Sequence, residues 1–191
     1  MNTVKILSFA GSIRSESINK RLAKIAMRAA EAAGAEVTFA DLADYQMPLY
    51  CPDWESKNGI PDEVIAFKEL MKSHQGFIIS SPEYNGSLTG ILKNTIDWMT
   101  RPYADEPRMA CFSGKIAGIV AASPGGLGGL RGLHHLRVIL ASIGTFVLPN
   151  QVAVGNSETN LVDDESIKDE KLQQAITNLS GELVRVIRGL H

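Results

Sequence analysis

The densest set of groups able to grip an anion lies near the N-terminus, in FAGSIRSESIN (Phe9–Asn19). Ser12, Ser17 and Asn19 offer hydroxyl and amide donors, and Arg14 offers a guanidinium fork that can hold two oxygens of one phosphate. The apolar run Val4–Phe9 before it reads as a buried strand, and Ile18, Leu22, Ile25, Ala26 and Ala29 after it recur at helical spacing. The stretch is therefore a strand-to-helix loop. The first N–H groups of a helix have no partner within it, and that end attracts negative charge. An ordinary cap needs one hydroxyl. A cluster of hydroxyls with an arginine points to a phosphate instead. The loop lacks the GK[ST] of a Walker A motif and the spacing of G-x-G-x-x-G. No cysteine precedes Arg14 as a phosphatase nucleophile would.

Two more small-residue loops follow. In PEYNGS, the residues Pro82, Tyr84, Asn85 and Gly86 could lie along a flat heteroaromatic ring, and they could equally be a plain turn with Asn85-Gly86 at positive φ. Glu83 is a conceivable general base, but nothing near it in sequence pairs with it. SPGGLGG (Ser123–Gly129) lets backbone approach a ligand closely, or simply lends freedom to the start of a helix. His134 and His135 lack the spacing of H-E-x-x-H, which favours a surface or interface role over metal binding. Trp98 ends an apolar helical stripe and reads as core or interface. Arg131 and Arg137 read as solvated or paired charges.

The elements that would position these loops alternate. Strands are expected at Glu36–Leu42, Gly76–Ser81, Lys115–Ser123 and Thr145–Val154, the last broken near Pro149. Helices are expected from Pro61 to about Met71, at Leu88–Thr100, Leu130–Ser142 and Ser166–Leu190. Asp44–Gly59 reads as a long irregular loop, Arg101–Gly114 as a polar connection and Asn156–Asp164 as loop. Strand and helix in alternation predict one domain over residues 1–191, with a parallel sheet covered by helices on both faces. Right-handed crossovers then carry all three loops to one edge of the sheet, beyond the carboxyl ends of the strands, where such sheets bind ligands.

Composition narrows the partners. A net charge of -2 over 191 residues argues against nucleic acid. The two cysteines, Cys51 and Cys111, form no CxxC and read as reduced thiols. No signal-peptide pattern opens the chain, and no apolar run approaches the roughly 20 residues of a membrane span. The expected setting is the cytoplasm.

Taken together, GSIRSESIN (Gly11–Asn19), SPEYNGSLTGILKNTIDW (Ser81–Trp98) and SPGGLGGLRGLHHLR (Ser123–Arg137) resemble the NAD(P)H-dependent FMN reductases, a flavodoxin-like group that includes quinone, chromate and azo-dye reductases. The resemblance spans essentially the whole chain, and the PEYN…LKN.IDW block is its most specific part. Thr89 departs from it, since many relatives carry proline there. The resemblance implies a three-layer flavodoxin-like fold with a five-stranded parallel sheet in the order 2-1-3-4-5. It implies non-covalent FMN, with Ser12, Arg14, Ser17 and Asn19 around the phosphate. Pro82, Glu83, Tyr84, Asn85 and Gly86 would border the ring and ribityl chain, and Ser123, Gly125 and Gly126 would close the other side. NADPH or NADH would reduce the flavin and leave before a small acceptor takes the electrons, with no side chain required as acid or base. A homodimer or homotetramer is implied, with the flavin near the interface and the helices at Leu88–Thr100 and Leu130–Ser142, Arg131 and Arg137 included, as contacts.

Three other readings stay open on the residues alone, one of them a regulatory or interaction module that keeps the fold without turnover. A nucleotide-binding dehydrogenase without flavin would use Asp41, at the end of the second strand, on a ribose. A flavodoxin-type electron carrier would keep the fold and pass single electrons to a protein partner.

Overall fold

The computed structural model describes residues 3–190. The chain begins with β1 (Lys5–Ala10), α1 (Ile18–Ala32) and β2 (Glu36–Ala40), followed by a 3-10 turn at Leu42–Asp44. Next come α2 (Pro52–Asn58), α3 (Asp62–Lys72), β3 (Gly76–Ser80), and the short strands β4 (Glu83–Tyr84) and β5 (Ser87–Leu88). The second half holds α4 (Gly90–Met99), β6 (Ile116–Ala122), α5 (Leu130–Ser142), β7 (Phe146–Val147), β8 (Val152–Val154), α6 (Ser157–Asn160) and α7 (Glu170–Leu190).

The main sheet runs β2-β1-β3-β6-β7, every pairing parallel, and β8 also pairs with β6. β7 lies against Ile116 and Ala117, and β8 lies against Val120 to Ala122. The two are one edge position, interrupted where Pro149 cannot donate to a ladder. The order is the expected 2-1-3-4-5, with the fifth strand broken.

Both faces of the sheet are covered, and its central strands are largely apolar, β6 throughout. Alternation decides which face each residue serves. Leu7 and Phe9 of β1 pack with Val64, Phe67, Leu92 and Leu136 under α3, α4 and α5. Ile6 packs with Leu22, Ile25, Leu183 and Ile187 under α1 and α7. Helices on both faces carry every strand-to-helix loop to the same edge, as expected.

Four expectations change. Asp44–Gly59 is not all irregular: Pro52 opens α2, and Gly59, at φ 78°, stops it. Trp54 and Tyr50 from this segment stack edge-on against Trp98. Leu88 belongs to the β4–β5 hairpin, so α4 starts at Gly90. The loop expected at Asn156–Asp164 contains α6, and α7 begins at Glu170, after Asp169 accepts the N–H groups of Lys171 and Leu172. Arg101–Gly114 has no helix or strand but is not a solvated connection. Cys111 and Phe112 are buried, and Glu106 pairs with the fully buried Lys68 at 2.7 Å.

Candidate functional site

Three loops meet at the carboxyl edge of β1, β3 and β6 and enclose a cleft of about 100 Å³. Ser12, Arg14, Ser17 and Asn19 line it from the first loop. Pro82, Glu83 and Tyr84 line it from the second, and Ser123 from the third. Four of the expected residues do not line it. Asn85 and Gly86 occupy the positive-φ turn of the β4–β5 hairpin, at 53° and 81°, which is the two-residue geometry that Asn-Gly favours. Gly125 and Gly126 lie just beyond Ser123. Ile18, Ala122 and Pro124 also line the cleft. Sequence reasoning missed them because they are apolar, although Ala122 is marked by its place at the end of a strand.

The first loop presents free donors. The guanidinium of Arg14 makes no hydrogen bond or ion pair among the described residues, and the residue is exposed. Ser17 is the N-cap of α1, yet its hydroxyl makes no capping bond, and the first turn of α1 carries no acidic residue. The earliest N–H groups of that helix, with no acidic residue in its first turn, are a ready anion site. The Ser12 hydroxyl accepts the N–H of Arg14 at 3.3 Å and so shapes the loop.

Asn19 serves differently. Its Nδ2 donates to the Ala122 carbonyl at 2.9 Å, while its Oδ1 accepts from the Ala122 N–H and the Ser80 hydroxyl, both at 3.0 Å. One buried amide thus ties α1 to the ends of β3 and β6. Thr89 makes a second tie. Its hydroxyl donates to the Gly11 carbonyl at 2.7 Å and accepts the Leu92 N–H at 3.2 Å, capping α4 while anchoring the first loop. A proline at this position would offer neither bond.

Glu83 is not without a partner. Its carboxylate accepts from Arg131, at 2.8 and 2.6 Å, and from the Gly132 N–H at 3.1 Å, so it clamps the first turn of α5. Burial alone would raise its pKa, but the Gly132 N–H and Arg131 outweigh burial and hold it below the ordinary 4.5. A carboxylate held this firmly ionised is poorly suited to trading protons near neutral pH. His135 meets the same hairpin, its Nδ1 at 2.9 Å from the Ser87 hydroxyl.

The third loop is strapped to the broken edge strand. Ser123 N–H donates to Val154 and Ser157 N–H donates to Ser123. Gly128, at φ +63°, passes so close to β8 that a Cβ there would lie 2.6 Å from backbone atoms of Gly155 and Val154. Arg137 holds the interruption itself, donating to the carbonyls of Leu148 and Pro149 and to the Gln151 side chain. Its guanidinium is committed within the chain. Asp41 is likewise engaged, 2.6 Å from Lys20 and accepting the Ala43 N–H. Among the described residues no group of three or more metal-ligating side chains occurs, and no helix is long and apolar enough to cross a membrane.

Comparison with known proteins points the same way. The family model for NADPH-dependent FMN reductase matches residues 4–159. The chain is 33% identical over 190 residues to an NAD(P)H-dependent FMN reductase of Pseudomonas aeruginosa, covering 97% of this chain and 98% of that protein. It is 33% identical over 181 residues to a quinone reductase of Escherichia coli K12, covering 94% and 92% respectively. A flavoenzyme NAD(P)H:(acceptor) oxidoreductase from Paracoccus denitrificans superposes with a TM-score of 0.80 at 27% identity, covering 98% of both chains.

Proposed function

The chain belongs to the NADPH-dependent FMN reductase family, and from that membership and the three-loop cleft we propose that it carries electrons from NAD(P)H through tightly held FMN to a small acceptor, a quinone first among them. The net reaction is NADPH + H⁺ + quinone → NADP⁺ + hydroquinone. FMN, when bound, would supply the redox chemistry that links the nicotinamide to the acceptor.

The observation that carries this reading is the Arg14 guanidinium, unpartnered among the described residues, beside the Ser17 hydroxyl that makes no capping bond, at a helix whose first turn carries no acid. Those residues fit a singly phosphorylated, dianionic group. Ser12 and Ser17 would hold its oxygens with Arg14, and the Ile18 and Asn19 N–H groups would complete the shell. Asn19, through Ala122 and Ser80, keeps that shell in register with the other two loops. Pro82, Glu83 and Tyr84 flank the ring: Pro82 and Tyr84 offer surface, and Glu83 acts through its clamp on α5. Asn85 and Gly86 give the hairpin its shape. Ser123, Gly125 and Gly126 supply backbone on the opposite side. None of these residues has to move a proton, because the acceptor's protons can come from water.

The second loop, the third loop and the start of α5 each leave an apolar or aromatic side chain exposed. Tyr84, Leu127 and Leu130 remain 53%, 56% and 37% accessible. A second copy covering these side chains through the start of α5 would dry the ring face, which fits an assembly of two or four chains. Arg131 is half free to take part, whereas Arg137 is not.

The test is a visible absorption spectrum of the purified protein under argon. A flavin spectrum that bleaches within one mixing time of NADPH, and returns with a quinone, is the expected result. A protein that stays colourless with added FMN refutes the reading, and one that binds FMN but bleaches only with a separate reductase is a carrier.

A further inference from the structure

A second cavity, of about 670 Å³, shares the first loop as its wall. Ile13 lines this cavity, while its neighbours Ser12 and Arg14 line the polar cleft. The volume falls in the range of small-molecule sites. Its walls are largely apolar, with Ile13, Leu42, Met47, Trp54 and Ile91 among them. Among the described residues Glu63, an exposed carboxylate, is the one charged side chain on it, and neither lysine nor arginine lines it. A nucleotide, a flavin phosphate or a metal oxyanion would face that carboxylate with no cation to pair with, and desolvating unpaired charge is costly. An uncharged apolar group meets no such penalty.

The outer wall is fixed in place before any ligand arrives. Asn94 donates to the Pro48 carbonyl at 2.9 Å and accepts the Tyr50 N–H at 2.8 Å, while Trp98 Nε1 donates to the same carbonyl at 2.7 Å. Trp54 stands edge-on to Trp98 with ring centres 5.9 Å apart. A wall held this way spends little ordering entropy on binding.

We propose that this cavity takes the apolar ring substituent of a quinone acceptor, whose ring sits at the mouth of the flavin cleft and whose tail crosses Ile13. The inference rests on the quinone-reducing reading above and adds a basis for choice: the site favours uncharged acceptors with an alkyl tail over small or anionic ones.

The test compares tetramethyl-1,4-benzoquinone with 2,3-dimethoxy-5-methyl-6-decyl-1,4-benzoquinone. Both are fully substituted and so spare the exposed thiol of Cys51. Ala43 is exposed, lines the cavity and does not line the cleft, so Ala43→Phe narrows the cavity alone. With the holoenzyme, Ala43→Phe raises KM for the decyl quinone about tenfold or more. KM for the tetramethyl quinone and the rate of bleaching by NADPH stay at wild-type values. Calorimetric titration of the oxidised protein without NADPH shows the same loss of decyl-quinone binding. Ile91→Phe narrows the same space from α4 and replaces Ala43→Phe should the latter melt early. Equal effects on both quinones, or none on either, overturn the proposal, as does a change in sedimentation, which assigns the cavity to a second copy. If neither quinone is reduced but the decyl quinone still titrates and Ala43→Phe abolishes its binding, the cavity assignment stands and the quinone-reductase reading fails. If both are reduced and Ala43→Phe changes nothing, the cavity assignment fails alone.

Discussion

Replacing Arg14 with alanine isolates the phosphate contact. The guanidinium has no partner in the described structure and the residue is exposed, so its loss removes nothing that holds the fold together. Surface changes of this kind move stability by less than about 0.5 kcal/mol. All of the effect should therefore appear in flavin affinity. A hydrogen bond to a charged group contributes about 1.5–3 kcal/mol. Solvent and salt reach Arg14, which places the value near the lower bound, a loss of roughly tenfold in affinity. The control is riboflavin, which has the same ring and no phosphate. Quenching titrations of FMN and riboflavin into wild type and Arg14→Ala, at low and high salt, form a closed cycle. FMN should weaken about tenfold at low salt and less at high salt, and riboflavin should not change. Arg14→Lys keeps the charge without the fork and should fall between. If riboflavin weakens as much as FMN, Arg14 shapes the loop and does not hold the phosphate.

Glu83→Gln should leave the pH profile of NADPH oxidation unchanged, and a missing ionisation in the variant would make Glu83 an acid–base group after all. Its effect belongs to stability. Because the folded pKa lies below 4.5, wild type should exceed Glu83→Gln in urea midpoint at neutral pH, and the gap should close as pH falls through the depressed folded value. Lys68→Met leaves Glu106 with the partly exposed Lys72 as its remaining lysine partner, and should cost about 3–5 kcal/mol in urea unfolding. Adding Glu106→Leu should restore a large part of that loss, and a double variant no better than the single would deny that the loss comes from stranded charge. Gly128→Ala combines a positive φ with contact on β8 backbone, and should cost at least about 2 kcal/mol and weaken FMN binding. Wild-type unfolding of Gly128→Ala would mean that the third loop is free to move.

What the sequence determined by itself is the set of features that act over a few residues. Apolar periodicity marked the strands of the main sheet and most of the helices, but not the short β4 and β5. The Asn85-Gly86 pair marked a positive-φ turn, which proved to be the tip of a hairpin. Ser, Arg and Gly at three strand ends marked the three loops that border the cleft. The signals for α2 were also present, in Pro52 at its first turn and Gly59 at its stop, but the prolines around them read as loop. Tertiary structure alone decided the roles of the polar residues, because their partners lie far along the chain. Asn19 looked like a phosphate ligand and spends most of its hydrogen bonds on Ala122 and Ser80. Glu83 looked unpaired and meets Arg131, 48 residues away. Thr89 looked like a lost proline and binds Gly11, 78 residues away. Periodicity and turn chemistry are local and survive in a bare string of letters. A hydrogen bond between distant residues exists only once the sheet order has brought their strand ends together, so the division between residues that grip a ligand and residues that hold the grip steady belongs to the fold.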